Sequence, residues 1–208
     1  MTKGLFVTFE GPDGSGKTTL STRVCEILES RGVDSLYSRE PGGSKVSEKI
    51  RAIILDPKNT EMDDRTEALL YAASRRQNVV ENIRPALQAG RLVICDRFID
   101  SSLAYQGYGR RIGFNEVLEL NRFAVEDTMP DVTYFLDIDY QTGLERINQG
   151  RTALDRLELE DNQFHRDVYE GYQEVLAYFR QRMVIIDGTK PIEENAQWVV
   201  DDILKRAA

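Results

Sequence analysis

The chain has 208 residues, with 27 lysines and arginines against 35 aspartates and glutamates, a formal net charge of −8. Its length suits one domain with a sizeable core, and 41% hydrophobic with 30% charged residues is the balance of an ordinary soluble globular protein. The acidic excess speaks against a broad nucleic-acid or membrane-surface footprint. It leaves open a small phosphate ligand held by a local arginine cluster.

In chain order, Gly4 to Glu10 reads as a buried strand. A helix follows from about Lys17 to Arg31, ended by Gly32, and Val33 to Arg39 is a second strand. Arg39-Glu40-Pro41-Gly42-Gly43 breaks any periodicity and reads as a loop. Ser44 is placed to cap a helix through about Leu55, stopped near Pro57. A longer helix runs from about Asp64 towards Ala89, where Pro85 should kink or divide it. Leu92 to Cys95 is a short apolar strand, followed by a helical stretch around Ser101 to Gln106 and a glycine-rich loop from Gly107 to Gly113. Phe114 to Asp127 is helical, Val132 to Asp137 a strand, and Tyr140 to Gln149 a helix. An arginine-bearing loop covers Gly150 to Arg156. Leu159 to Arg182 is helical, Met183 to Asp187 is the last strand and Pro191 to Arg206 the last helix. Short apolar strands alternating with helices predict an α/β protein, a five-stranded parallel sheet with helices on both faces. No repeat, low-complexity tract or long linker divides the chain, so a single domain over 1–208 is expected, with a mobile lid at about 150–157.

Cys25 and Cys95 form no CxxC; they read as buried free thiols in a reducing compartment, with one structural disulfide as the alternative. His165 is the single histidine, which disfavours a His-rich metal site or a Ser-His-Asp triad. No apolar run approaches the ~18 residues that cross a bilayer. Leu5 to Phe9 enters a loop rather than forming a signal peptide. A cytoplasmic location is expected.

Gly11-Pro12-Asp13-Gly14-Ser15-Gly16-Lys17-Thr18 fits G-x-x-x-x-G-K-[ST] in full, between a strand and a helix. Glycines let the backbone turn a ring of N–H groups onto a phosphate, and the following helix adds positive potential. Lys17 supplies a mobile charge to the β- and γ-oxygens of ATP, and Thr18 a hydroxyl for Mg²⁺. Thr19 extends the loop's contact with the nucleotide. Asp13 is unusual there: it is either a solvent-facing turn residue or a group facing a hydroxyl or metal on a second substrate. Asp96-Arg97 ends the strand Leu92 to Cys95, where ligands collect in parallel sheets. Asp96 is placed to hold Mg²⁺, directly or through water, and Arg97 to reach phosphate oxygens. No N-K-x-D guanine motif is present, so the pattern points to a nucleotide or nucleoside kinase rather than a GTPase.

Beyond the generic phosphate loop, the chain carries Arg39-Glu40-Pro41-Gly42-Gly43, Tyr71-Ala72-Ala73-Ser74-Arg75, Leu154-Asp155-Arg156-Leu157-Glu158 and the long run Asp96-Arg97-Phe98-Ile99-Asp100-Ser101-Ser102-Leu103-Ala104-Tyr105-Gln106-Gly107. With these stretches it resembles bacterial thymidylate kinases from end to end. The resemblance implies the P-loop NTPase, nucleoside monophosphate kinase-like three-layer fold and the reaction ATP + dTMP → ADP + dTDP. It implies that Arg39 and Arg97 clamp the dTMP phosphate, with Glu40 tuning the clamp. Tyr71 stacks on thymine, Arg75 bonds its edge, and Ser102 and Gln106 contact the base. Tyr105 crowds the sugar 2′ position, and Asp13 accepts from the 3′-hydroxyl or orders Mg²⁺. Lys17, Arg97, Asp13 and the lid arginines Arg151 and Arg156 then form the catalytic set, and Arg146 packs on adenine. Read alone, Tyr71 is equally a core residue, Arg146 a solvent-facing one and Arg151 a surface charge. The chain departs from the family at Asn78, where many relatives carry histidine. A homodimer is implied. Two other readings stay open: a thymidine or deoxynucleoside kinase, and a non-catalytic nucleotide switch.

Overall fold

The computed structural model describes residues 4–150 and 155–207. Five strands, β1 (Phe6–Glu10), β2 (Ser35–Arg39), β3 (Leu92–Asp96), β4 (Val132–Asp137) and β5 (Met183–Asp187), form one parallel sheet in the order β2-β3-β1-β4-β5. The expected five-stranded α/β sheet is what the chain forms. Every residue of β1 and β3 is buried, as a strand covered on both faces requires.

Successive side chains of β1 serve opposite layers. Val7 and Phe9 join the cluster under α1 (Lys17–Ser30) and α9 (Ile192–Ala207). Phe6 joins the cluster under α4 (Arg84–Gln88), α5 (Ile99–Ser102) and α6 (Phe114–Val125). A third cluster, around Phe135 and Tyr172, packs α2 (Lys45–Leu55) and α3 (Asp64–Asn78) against α8 (Asn162–Tyr178). Because β1 lies between β3 and β4, the chain leaves it in one direction and returns on the other side. This reversal opens a crevice at the carboxyl ends of β1, β3 and β4.

Local chemistry sets the element ends. The Ser44 side chain caps α2, accepting from Ser47 N. Asp161 Oδ1 accepts from Phe164 N at 2.8 Å, so α8 begins at Asn162 rather than near Leu159, and it stops at Tyr178 rather than Arg182. The long helix expected from Asp64 is divided near Pro85, as expected, into α3 and α4. A π-helical segment, Val79–Ile83, lies between them and α4 continues with Pro85 in its first turn. The wider turn falls where the proline ring would meet the carbonyl four residues earlier, and it accommodates the missing N–H. The expected loop from Gly107 is instead partly helical, since a second π-helical segment covers Leu103–Gly109. Its glycine serves packing: a Cβ on Gly109 would stand 2.7 Å from the Phe164 ring, so α8 lies directly on this segment. Among the described residues, no helix is long and apolar enough to cross a membrane.

Candidate active site

The phosphate loop joins β1 to α1. Gly11, Gly14 and Gly16 take φ of 146°, 74° and 91°, a region that a side chain would oppose. No side chain caps α1 at Gly16, which leaves the helix N-terminus to an external anion. Lys17 is buried; its Nζ donates to Pro12 O at 3.1 Å and lies 3.8 Å from Asp13. Burial and Arg97 push its ammonium down to about 8, against Asp13, Asp96 and Glu10. Gly14, Gly16, Lys17, Thr18 and Thr19 line a cleft of about 540 Å³. Gly11, Pro12 and Ser15 shape the loop without lining the cleft.

Asp96 closes β3 beside this loop. Its Oδ2 accepts from Thr18 Oγ at 2.5 Å, while Oδ1 is buried without a hydrogen-bond partner among the described residues. An orphaned carboxylate oxygen next to a threonine hydroxyl, in a cleft already lined by a phosphate loop, suits a hard cation that takes oxygen ligands.

Arginines also line the cleft. Arg97, one residue past β3, has φ 67°, and its N–H donates to Phe9 O at 3.0 Å. Its Nη1 donates to Gly11 O at 3.2 Å, Ser101 Oγ at 2.9 Å and Tyr172 OH at 3.2 Å. Its Nη2 donates to Asp13 and, at 3.3 Å, to Tyr105 OH. Tyr105 OH in turn donates to Asp13 Oδ2 at 2.7 Å. Burial pushes the Asp13 carboxyl up, but Arg97 and Lys17 outweigh it and bring it to about 2. Arg39 donates to Pro41 O at 3.3 Å and to Glu48 at 3.1 Å. Arg51 also donates to Pro41 O, at 2.8 Å, and lines the same cleft. Sequence reasoning missed Arg51. Its signal is helical phase: it follows Ser47 by four residues and precedes Ile54 by three, and both of those are buried on α2.

Tyr71 and Arg75 lie one turn apart on α3, and both reach the cleft. Arg75 is 2% exposed. It donates Nε to Glu40 at 2.6 Å, Nη1 to Ser102 at 2.9 Å and to Asn121, and Nη2 to Phe98 O at 2.9 Å. Asn78 donates to Glu40 Oε1 at 3.2 Å, so this position props the Glu40–Arg75 pair. Gln106 Nε2 donates to Glu67 at 2.8 Å. Arg146, on α7 (Tyr140–Gly150), lines the cleft and donates to Gly188 O at 3.3 Å. Arg156 stands apart: it donates to Ile54 O at 2.9 Å and pairs with buried Glu67, outside the cleft lining. Arg151 lies outside the described residues. Cys25 and Cys95 are both free.

A phosphate loop and three arginines lining one cleft, with Arg97 held against the loop through Gly11 O and Asp13, suit two anionic substrates in the same cleft. That layout defines a nucleotide kinase of the P-loop class. A family model described as thymidylate kinase matches residues 9–199. A thymidylate kinase of a Geobacillus species is 51% identical over 92% of this chain and 92% of its own length. The thymidylate kinase of Oceanobacillus iheyensis is 54% identical over 93% and 87%. The crystal structure of thymidylate kinase from Ehrlichia chaffeensis superposes with a TM-score of 0.76 at 32% identity, covering 97% of this chain and 99% of that one. The chain belongs to the thymidylate kinase family.

Proposed function

We propose that the protein transfers the γ-phosphoryl group of ATP to dTMP, giving dTDP for dTTP synthesis. The observation that carries this reading is that Arg39, Arg51 and Arg97 line one cleft together with the phosphate loop. A planar guanidinium fork suits a phosphate, and a neutral acceptor such as thymidine would need none. A non-catalytic switch would need no second anion site.

Phosphoryl transfer asks the protein for positioning and charge rather than covalent chemistry. The loop amides and Lys17 hold the β- and γ-phosphates of ATP, and Thr19 and Arg146 extend the contact to the nucleotide. The arginines hold the dTMP phosphate in line, and its anionic oxygen attacks without a general base. Tyr71, Arg75, Ser102 and Gln106 receive the thymine. Tyr105 and Asp13 meet the sugar, the first against a 2′-hydroxyl and the second at the 3′-hydroxyl. Thr18 and Asp96 would hold Mg²⁺, which neutralises charge on the transferring phosphate when bound. Arg151 and Arg156, from the lid segment 150–157 of a single domain, supply further positive charge. For Arg156 this means exchanging Glu67 for the phosphoryl group. The protein works in the cytoplasm as a homodimer.

An ADP-release assay with ATP–Mg²⁺ tests the reading against dTMP, dUMP, the ribose analogue of dTMP, thymidine and no acceptor. Fast turnover with dTMP is expected, with dUMP slower by roughly ten- to a hundredfold, because one methyl group in an apolar pocket discriminates by only ~1–3 kcal/mol. Equal rates with the ribose analogue would remove Tyr105 from sugar selection. Turnover of thymidine but not dTMP would overturn the phosphate clamp, and no turnover at all would favour the switch.

A further inference from the structure

Glu10, the last residue of β1, is fully buried and does not line the cleft. Four donors converge on its carboxylate. Oε1 accepts from Phe98 N at 2.7 Å and Ser101 N at 3.2 Å. Oε2 accepts from Ser101 Oγ at 2.5 Å and Tyr172 OH at 3.1 Å. The same two hydroxyls are the ones that receive Nη1 of Arg97. Each hydroxyl has a single hydrogen. The two hydroxyls also lie 3.0 Å from each other; with their hydrogens directed to the carboxylate instead, the lone pairs of both oxygens are left facing the guanidinium. The two backbone bonds act on the same target from the main chain. They tie the turn after Arg97 to the end of β1, where Arg97 holds φ 67°, a left-handed conformation that surrounding contacts must over-determine.

We infer that Glu10 is a positioning residue for the acceptor-phosphate site: through the hydroxyls of Ser101 and Tyr172 it aims the Arg97 guanidinium, and through the N–H groups of Phe98 and Ser101 it fixes the turn carrying it. This rests on the reading of Arg97 as a clamp on the acceptor phosphate. Tyr172 comes from α8, so the network also makes the aim of Arg97 depend on how that helix seats against β1. Replacing the carboxylate by an amide puts a donor where an acceptor is needed. One hydroxyl must then turn its hydrogen away, and Arg97 loses an acceptor.

The experiment compares binding of dTMP and thymidine, by calorimetry, to the wild type and to Glu10→Gln, Tyr172→Phe, Ser101→Ala and Arg97→Lys. Thymidine has the base and sugar but no phosphate, so the affinity ratio isolates the clamp. Melting temperatures are measured alongside. In Glu10→Gln the dTMP-to-thymidine ratio is expected to fall roughly ten- to a hundredfold, as misplaced positioning groups do. Tyr172→Phe should move the ratio in the same direction by less. The Glu10→Gln/Tyr172→Phe double variant should lose less than the two single losses combined. Michaelis constants should divide likewise, with KM for dTMP rising and KM for ATP unchanged. If Glu10→Gln and Tyr172→Phe lower only the melting temperature and leave the ratio intact while Arg97→Lys changes it, Glu10 is merely structural and the proposal falls. If Arg97→Lys leaves the ratio intact as well, the clamp reading itself has failed.

Discussion

Lys17 carries a charge that burial makes conditional. Its ammonium is brought down from an ordinary 10.5 to about 8 by burial and by Arg97, so the free enzyme loses that charge in mildly alkaline solution. Bound ATP would restore it, since a tetraanion beside the amine favours the proton. A plot of kcat/KM for ATP against pH, which reports the free enzyme, should therefore show an alkaline limb near 8, while kcat at saturating ATP holds to higher pH. The same shift has a stability sign. Between pH 8 and 10.5 the unfolded chain binds the proton that the folded chain has released, so Lys17 makes the fold more stable as pH rises through that window. An ATP profile flat from pH 7 to beyond 10 would mean that Lys17 keeps its proton in the free protein. At this scale the phosphate loop was legible because its chemistry is contiguous: eight residues carry the whole signal. Glu10 was not, because its partners Ser101 and Tyr172 lie 91 and 162 residues away, and no local pattern marks a carboxylate for distant hydroxyls. Arg156 itself stands out in the sequence, but its pairing with Glu67, 89 residues away, does not, for the same reason.

At the scale of elements, α7 lies on the phosphate loop backbone to backbone. A Cβ on Gly143 would collide with Asp13 O, and one on Gly14 would collide with the Gly143 carbonyl. One turn further along α7, Arg146 and Ile147 line the cleft. Gly143→Ala therefore sets two effects against each other. Alanine favours an exposed helix interior by ~1 kcal/mol over glycine, but here it meets backbone that cannot swing aside. Displacement of α7 should dominate, raising KM for ATP about tenfold with little change in dTMP binding. A thermal melt and the two Michaelis constants decide it; a stabilised variant with normal ATP kinetics would show that α7 rides loosely on the loop. Elements of this kind were partly legible. Strand runs such as Leu92-Val93-Ile94-Cys95 stand out because both faces of a parallel strand are apolar. The two π-helical segments did not stand out, since apolar spacing of three and four residues persists through a single wide turn. Pro85 marks the division between α3 and α4, but the sequence does not show that a wide π-helical turn just ahead of it makes that division.

For the whole molecule, the proposed homodimer has a candidate face. α3 and α6 lie side by side, joined by Arg76 Nη1 donating to Ala124 O at 3.2 Å. Exposed apolar side chains stand out among their charged neighbours: Phe123 on α6 is 86% exposed, Leu69 on α3 57%, and Val80, in the π-helical segment after α3, 36%. Leu69 and Ala73, four residues apart, share one face of α3. The pair Arg76–Glu126 at 2.9 Å borders the patch. A chain with net charge −8 would repel its copy at long range, so association here has to come from apolar burial at short range. Phe123, the largest and most exposed of the group, is the natural anchor, and such residues carry most of an interface's energy. Light scattering on the wild type should give twice the 23.8 kDa chain mass, and Phe123→Asp should give the single chain. Because Phe123 contributes nothing to the buried core, the variant should retain the wild-type circular dichroism spectrum even where its melting temperature becomes concentration-independent. A dimer that survives Phe123→Asp unchanged would place the contact on another face, and a wild type of single-chain mass would remove the homodimer altogether.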